Sequence, residues 1–144
     1  MPRAFELTAT SAKLSTIEVS VGVVCDVAGN VLLSQRPAGK HMAGAWEFPG
    51  GKRRADETAI AALKRELEEE LGIRVLGAEP LLDLEFDYPD RSVRLAVFWI
   101  SEFVGVVEAR EHQPLQWLSP ATLEQIDILP ADEPIITAIK RRLA

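Results

Sequence analysis

Hydrophobic and polar positions divide the chain into segments of two periods. From Ile17 to Val27 the run IEVSVGVVCDV is rich in β-branched residues, and a short AGN turn separates it from VLLSQR. The two runs are expected to pair as a hairpin. AWEFPGG reads as a short strand stopped by Pro49 and the Gly50-Gly51 pair. Between residues 59 and 71 the period changes, because Ile60, Leu63, Leu67 and Leu71 recur at helical spacing. Thr58 is placed to cap the start of this helix, and Gly72 to end it in a left-handed turn. IRV and LLDLEFDY return to strand, PDRS is a turn, VRLAVFWISEF is a long returning strand and LQWLS is another. A short helix is expected after Pro120 and a final one from Asp132 to Leu143. Trp46, Trp99 and Trp117 are assigned to the core. The succession predicts a mixed α/β (α+β) domain with sheet and helices packed in layers.

Length narrows this to one domain. At 144 residues, 47% of them hydrophobic, the chain can bury a core of its own. That domain is expected over residues 17–144, with residues 1–16 a loosely ordered lead-in. A net charge of −6 argues against a surface that tracks a nucleic-acid polymer. The opening MPRAFELTATSAKLS has no continuous apolar stretch, and LAVFWI is too short to span a bilayer, so neither secretion nor a membrane partner is expected. The single cysteine, Cys25, excludes an internal disulfide and fits a reducing cytoplasm. It lies in an apolar strand pattern and is read as a core residue.

Charge changes the picture at one place. Four of the five residues from 66 to 70 are glutamate. At about 100° per residue, Glu66, Glu69 and Glu70 gather on a face beside the apolar stripe. Like charges at these spacings cost about 0.2 to 0.5 kcal/mol per pair. Glu69 and Glu70 also meet the negative end of the helix dipole, at about 0.3 to 1 kcal/mol each. A solvated acidic face is the ordinary reading of a charge run, but it leaves these costs without compensation. Divalent cations supply it, since carboxylates are the hard oxygen ligands that Mg²⁺ or Mn²⁺ prefers.

The spacing is more specific still. Gly51, Glu57, Arg65, Glu66, Leu67, Glu69, Glu70, Gly72 and Ile73 fall at every fixed position of G-x5-E-x7-R-E-U-x-E-E-x-G-U, where U is aliphatic. This resembles the Nudix box. The wider segments HMAGAWEFPGGK, LEFDYPDRSVRL, EHQPLQWLSP and LPADEPII are similar to the MutT-like branch of that family, whose bacterial members hydrolyse 8-oxo-dGTP. The resemblance implies the Nudix fold, a mixed β-sheet sandwiched between helices. It implies that Glu66 and Glu70 bind metal, that Glu57 and Glu69 complete the acidic site, and that the Gly50 carbonyl and Glu111 are further ligand candidates. It also implies attack of water at the β-phosphorus, releasing a nucleoside monophosphate and pyrophosphate.

The chemistry is consistent with that set. A triphosphate repels an attacking hydroxide until cations neutralise it, lower the pKa of water and align it with phosphorus. One of Glu66, Glu69 and Glu111 is the general base on this reading, and sequence does not rank them. Arg65, four residues before Glu69, is expected to orient carboxylates rather than touch substrate. Arg36 and Lys52 are candidates for phosphate oxygens, with exposed charge at a strand or loop end the competing explanation.

For the base, the resemblance implicates Phe48, Tyr88 and Arg91 as lining or bordering the nucleoside pocket, where an aromatic wall offers a stacking face. His41 and His112 are too few and too separated for a histidine metal site. One departure bears on substrate: Asp132 stands in LPADEPII where the MutT-like proteins carry asparagine. Asparagine both donates and accepts, matching the O6 and N7–H edge of 8-oxoguanine, whereas an ionised aspartate only accepts. It can then receive an amino group such as N4 of cytosine, unless burial keeps the carboxyl protonated and donating. As the first residue of the last helix, Asp132 is equally a candidate N-cap. The expected activity is a Mg²⁺-dependent nucleoside triphosphate diphosphatase acting on 8-oxo-dGTP, with CTP or 5-methyl-dCTP the alternative substrate. A non-catalytic nucleotide sensor is the more distant reading, and loss of box carboxylates would favour it; none is lost.

Overall fold

The structure is a computed structural model that describes residues 16–144. Of the expected lead-in, residues 1–16, all but Thr16 lie outside the described residues. Among the described residues seven strands run in chain order: β1 Ile17–Val23, β2 Val31–Gln35, β3 Trp46–Glu47, β4 Gly50–Lys52, β5 Arg74–Tyr88, β6 Arg91–Val104 and β7 Leu115–Leu118. Helix α1, Ala59–Leu71, lies between β4 and β5, and α2, Glu133–Leu143, closes the chain. The segments Pro120–Gln125 and Pro130–Asp132 are 3₁₀ turns.

The strands form two sheets, ordered β4-β1-β6-β5 and β3-β2-β7. In the first, β1 runs parallel to β6 and antiparallel to β4. Its period-2 pattern faces two cores. Val21 and Val23 pack with Leu33, Phe48 and the α2 residues Ile135, Ile136 and Ile139. On the other side Val24 and Leu32 meet Leu63, Leu67 and Leu71 of α1. Between them α1 lies close on β1: a Cβ at Gly22 would come 3.1 Å from Leu67 Cδ1 and 3.2 Å from Leu63 Cδ1. The sheets are thus sandwiched between α1 and α2.

The expected β1–β2 hairpin forms only at its tip. Asp26 accepts from the amides of Ala28 and Asn30, and Cys25 bridges Val31. Beyond that bridge the strands part into different sheets, because β4 and β6 occupy both edges of β1 while β3 and β7 occupy both edges of β2. Residues 74–88, expected as two strands, form one. Register shifts between Val75 and Gly77, Gly77 and Ala78, and Pro80 and Leu82 absorb the irregular stretch. Pro80 has no amide to donate, and β5 is an edge strand where that loss is tolerated. Trp117 is not core; it is 37% exposed on the edge strand β7, while Trp46 and Trp99 are half-buried. The last helix starts at Glu133 rather than Asp132, whose side chain makes no capping bond. No helix among the described residues is long and apolar enough to cross a membrane.

Candidate active site

Helix α1 presents the acidic face because its ends are fixed locally. Thr58 Oγ1 accepts the Ala61 amide at 3.2 Å, and Gly72 closes the last turn at φ 72°. The carbonyls left unpaired at that end are taken by the segment that carries Glu111. Glu70 O accepts Arg110 N at 3.0 Å and Gln113 Nε2 at 3.1 Å, and Leu71 O accepts Glu108 N at 2.9 Å. This docking brings Glu111 to the wall of a cavity of about 410 Å³ that Glu66, Glu69 and Glu70 also line.

Within the cluster the carboxylates differ. Glu70 is forced well above the ordinary carboxylate range, first by burial, then by its hydrogen bond to Glu66 and by the charges of Glu66, Glu111 and Glu47. Glu66 lies so close to Gly51 that a Cβ there would come 2.2 Å from its Oε2. Glu57 stands apart from the cavity wall. Arg65 donates to its Oε2 at 2.6 Å and to Oε1 at 2.8 Å, and the Arg54 amide donates to Oε1 at 2.9 Å. The same guanidinium reaches Glu66 at 2.9 Å, Glu69 at 3.3 Å and the Lys52 carbonyl at 3.1 Å. Arg65 therefore orients three carboxylates, and both Glu57 oxygens are engaged by it.

That grip holds Glu57 at about 2, chiefly through the hydrogen bond from Arg65. A depressed folded-state value means that the stabilisation is present above the unfolded value of 4.5 and is lost as pH falls through about 2. Between those limits Glu57→Gln is expected to melt with a shallower pH dependence than wild type, which thermal scans across acid pH would measure.

A second cavity, of about 150 Å³, is lined by Phe48, Tyr88, Arg91 and Asp132. It shares Arg36, Glu47, Gly50, Gly51 and Lys52 with the carboxylate cavity, so the two are contiguous. Phe48 is only 2% exposed; its ring belongs mainly to the core, and its amide donates to Asp132 Oδ2 at 2.9 Å. Tyr88 meets the His41 ring edge-on at 4.7 Å between centroids, and its hydroxyl accepts the Ala131 amide at 3.0 Å. Arg91 Nε is buried without a partner.

Glu47 escaped the sequence reading. It faces both cavities and pairs with Arg36 Nη1 at 2.9 Å; burial raises its carboxyl and Arg36 opposes the rise. The available signal was a lone charge inside the apolar WEFP segment. A larger groove of about 670 Å³, between the Pro120–Gln125 turn and α2, contains none of the clustered carboxylates.

A NUDIX domain model matches residues 20–138. The chain belongs to the Nudix family. It is therefore a hydrolase acting on phosphorus anhydrides. Over 125 residues it is 40% identical to a CTP pyrophosphohydrolase of Escherichia coli (strain K12), covering 87% of this chain and 92% of that one. It is 34% identical over 128 residues to an 8-oxo-dGTP diphosphatase of the same strain, covering 89% and 99%. The solution structure of the E. coli ORF135 protein superposes with a TM-score of 0.79 at 38% identity, over 90% of this chain and 92% of that one. A MutT structure from a study of Aliivibrio salmonicida and Vibrio cholerae gives 0.75 at 29%, over 88% and 98%.

Nudix hydrolases are generally dependent on divalent metal, and the donor set here fits one. As placed, no three His, Cys, Asp or Glu side chains among the described residues converge at ligand spacing. Glu69 is turned to Arg65 and Glu111 is exposed. Glu70 is buried against Glu66 and crowded by the charges of Glu66, Glu111 and Glu47, a cluster of hard oxygen donors whose repulsion a divalent cation would relieve. Gly51 leaves the Glu66 carboxylate room that any side chain would take.

Proposed function

We propose that this protein is a Mg²⁺-dependent nucleoside triphosphate pyrophosphohydrolase that converts 8-oxo-dGTP to 8-oxo-dGMP and pyrophosphate, clearing the damaged precursor from a cytoplasmic nucleotide pool. The contiguity of the two cavities carries the reading: a base seated beside Asp132 extends its phosphates past Arg36 and Lys52 toward the glutamates. Glu66, Glu70, Glu111 and the Gly50 carbonyl are the groups that would hold Mg²⁺ or Mn²⁺, with Glu69 beside them. Bound there, the ion neutralises phosphate charge and acidifies water.

The chain's own residues do the rest. Arg65 fixes Glu66 and Glu69 through charge-assisted hydrogen bonds. Arg36, steadied by Glu47 and by the His41 carbonyl, meets phosphate oxygens on the shared wall together with Lys52. Glu66, Glu69 and Glu111 are the carboxylates able to take the proton of the attacking water. The orphaned Arg91 Nε and the Asp132 carboxyl are the polar groups for the base. A nucleic-acid polymer is not the substrate on this reading, given the net charge of −6.

CTP is the second substrate reading, favoured by an aspartate rather than an asparagine at position 132 and supported by the CTP pyrophosphohydrolase relative. A panel of 8-oxo-dGTP, dGTP, CTP, 5-methyl-dCTP and ADP-ribose, followed by pyrophosphate or phosphate release, tests the function. Pyrophosphate from 8-oxo-dGTP at the highest kcat/KM is expected. Preference for ADP-ribose, or release of phosphate alone, would replace the proposal. EDTA is expected to abolish turnover without unfolding the chain, and Mg²⁺ at about millimolar concentration to raise the melting temperature by binding only the folded cluster. Full activity in EDTA contradicts the metal assignment.

A further inference from the structure

The carbonyl of Glu70, in the last turn of α1, accepts two donors: Arg110 N at 3.0 Å and Gln113 Nε2 at 3.1 Å. Capping the helix end needs only the first, since one donor satisfies an unpaired carbonyl. The second has a further connection, because Gln113 Oε1 accepts the Glu111 amide at 3.0 Å. A single side-chain amide thus joins the backbone of Glu70 to that of Glu111, and all three residues line the acidic cavity. The main chain of Gln113 is itself anchored: Pro114 O accepts Gln35 N at 3.1 Å, and β7 begins at Leu115. Upstream, the segment leading to Glu111 presses on the end of α1, where a Cβ at Gly105 would come 2.9 Å from Gly72 O.

Glu111 depends on such a hold. Arg65 fixes Glu66 and Glu69, whereas Glu111 is an exposed loop residue outside that set. Its neighbour His112 takes left-handed backbone at φ 59°, uncommon for a residue with a side chain. Such a turn persists where its surroundings fix it. Here Ala109 O accepts the His112 amide at 3.0 Å, and Gln113 closes back over His112 to Glu111. We propose that Gln113 is a positioning residue, whose amide sets the separation between Glu111 and the glutamates of α1 without touching substrate. The inference rests on the hydrolase reading above, with Glu111 in the acidic site. Glutamine suits the task because one end of its amide donates and the other accepts, whereas a methionine of similar length does neither.

The test is a double-substitution cycle on 8-oxo-dGTP hydrolysis. Gln113→Met is expected to lower kcat ~10-fold with KM within about 2-fold of wild type, the order found for groups that orient a ligand from behind. In a Glu111→Gln background, itself slowed at least ~10-fold, the same change is expected to alter kcat by less than about 2-fold, because the group it positions is already lost. A helix cap alone would leave kcat per folded molecule unchanged in both backgrounds. An independent readout needs neither metal nor turnover: hydrogen exchange of the Glu111 amide, followed by NMR in the metal-free chain, is expected to quicken at least ~10-fold in Gln113→Met. Gln113→Asn, an amide too short to reach both partners, carries the cycle if Gln113→Met does not fold. Equal losses of kcat in the two backgrounds, full activity of Glu111→Gln, or unchanged exchange at Glu111 overturns the inference. So does a raised KM at unchanged kcat, which would make Gln113 a substrate contact. Failure of the wild type to hydrolyse any nucleoside triphosphate overturns the functional reading beneath it, and the exchange measurement then still decides whether Gln113 holds Glu111.

Discussion

Replacing either Glu66 or Glu70 by glutamine is expected to lower kcat by at least ~100-fold, about 2.7 kcal/mol of transition-state stabilisation. Both side chains line the acidic cavity, and neither belongs to a hydrophobic core. Glutamine keeps the shape but removes the charge that a divalent cation requires. The fold is expected to survive, and without metal Glu70→Gln is expected to melt slightly above wild type, because the crowding of Glu70 by Glu66, Glu111 and Glu47 is relieved. Addition of Mg²⁺ would then raise the melting temperature of wild type but much less that of the variant. Single-turnover kinetics and thermal scans on the same preparations measure both effects. Near-normal turnover in both variants would remove the metal assignment.

Two neighbouring glycines are expected to fail in different ways. In Gly51→Ala the new methyl lands on the Glu66 carboxylate, the far end of a flexible side chain that can swing aside. Folding is therefore retained, with the melting temperature within about 2 °C of wild type, while kcat falls by ~10- to 100-fold because a displaced carboxylate no longer holds its geometry. In Gly50→Ala the methyl would come 2.0 Å from the Ser20 carbonyl oxygen and 2.9 Å from Val21 Cα. Backbone cannot yield so cheaply, and β4 is the strand that pairs with β1 at Gly50 and Gly51. A loss of at least ~3 kcal/mol of stability is expected, visible as a lowered denaturation midpoint. If Gly51→Ala were as unstable as Gly50→Ala, the close contact with Glu66 would not be its defining feature.

What could be read from the sequence was whatever local chemistry decides. Helix α1 is set by its own stripe, its Thr58 cap and Gly72, and it appears where those residues place it. Partner choice between strands is not local. Nothing in IEVSVGV states that β4 and β6 will take both its edges, and so the apparent hairpin with VLLSQR dissolves beyond Cys25. The spacing of the box made the glutamates conspicuous but could not distinguish Glu57, whose oxygens face Arg65, from Glu66 and Glu70, which face a cavity. Asp132 looked as much like a helix cap as a site residue. Its contact with Phe48, distant in sequence, decides its surroundings. Glu47 was hidden for the opposite reason, since one acidic residue in a short strand carries no pattern until Arg36 is seen beside it.

The long outer strand β5 has a bearing on how the molecule behaves in a crowded solution. Fifteen residues of backbone along one rim of a sheet are a template on which a second copy can stack, the route by which many β-rich chains aggregate. Here the rim is interrupted. Pro80 offers no donor, three register shifts bend the ladder out of a straight line, and Glu79, Asp83, Glu85 and Asp87 stand exposed along it. Two such rims brought together would repel each other and mismatch. The same irregularities that divided this segment into two strands on paper serve as its protection against self-assembly into fibres.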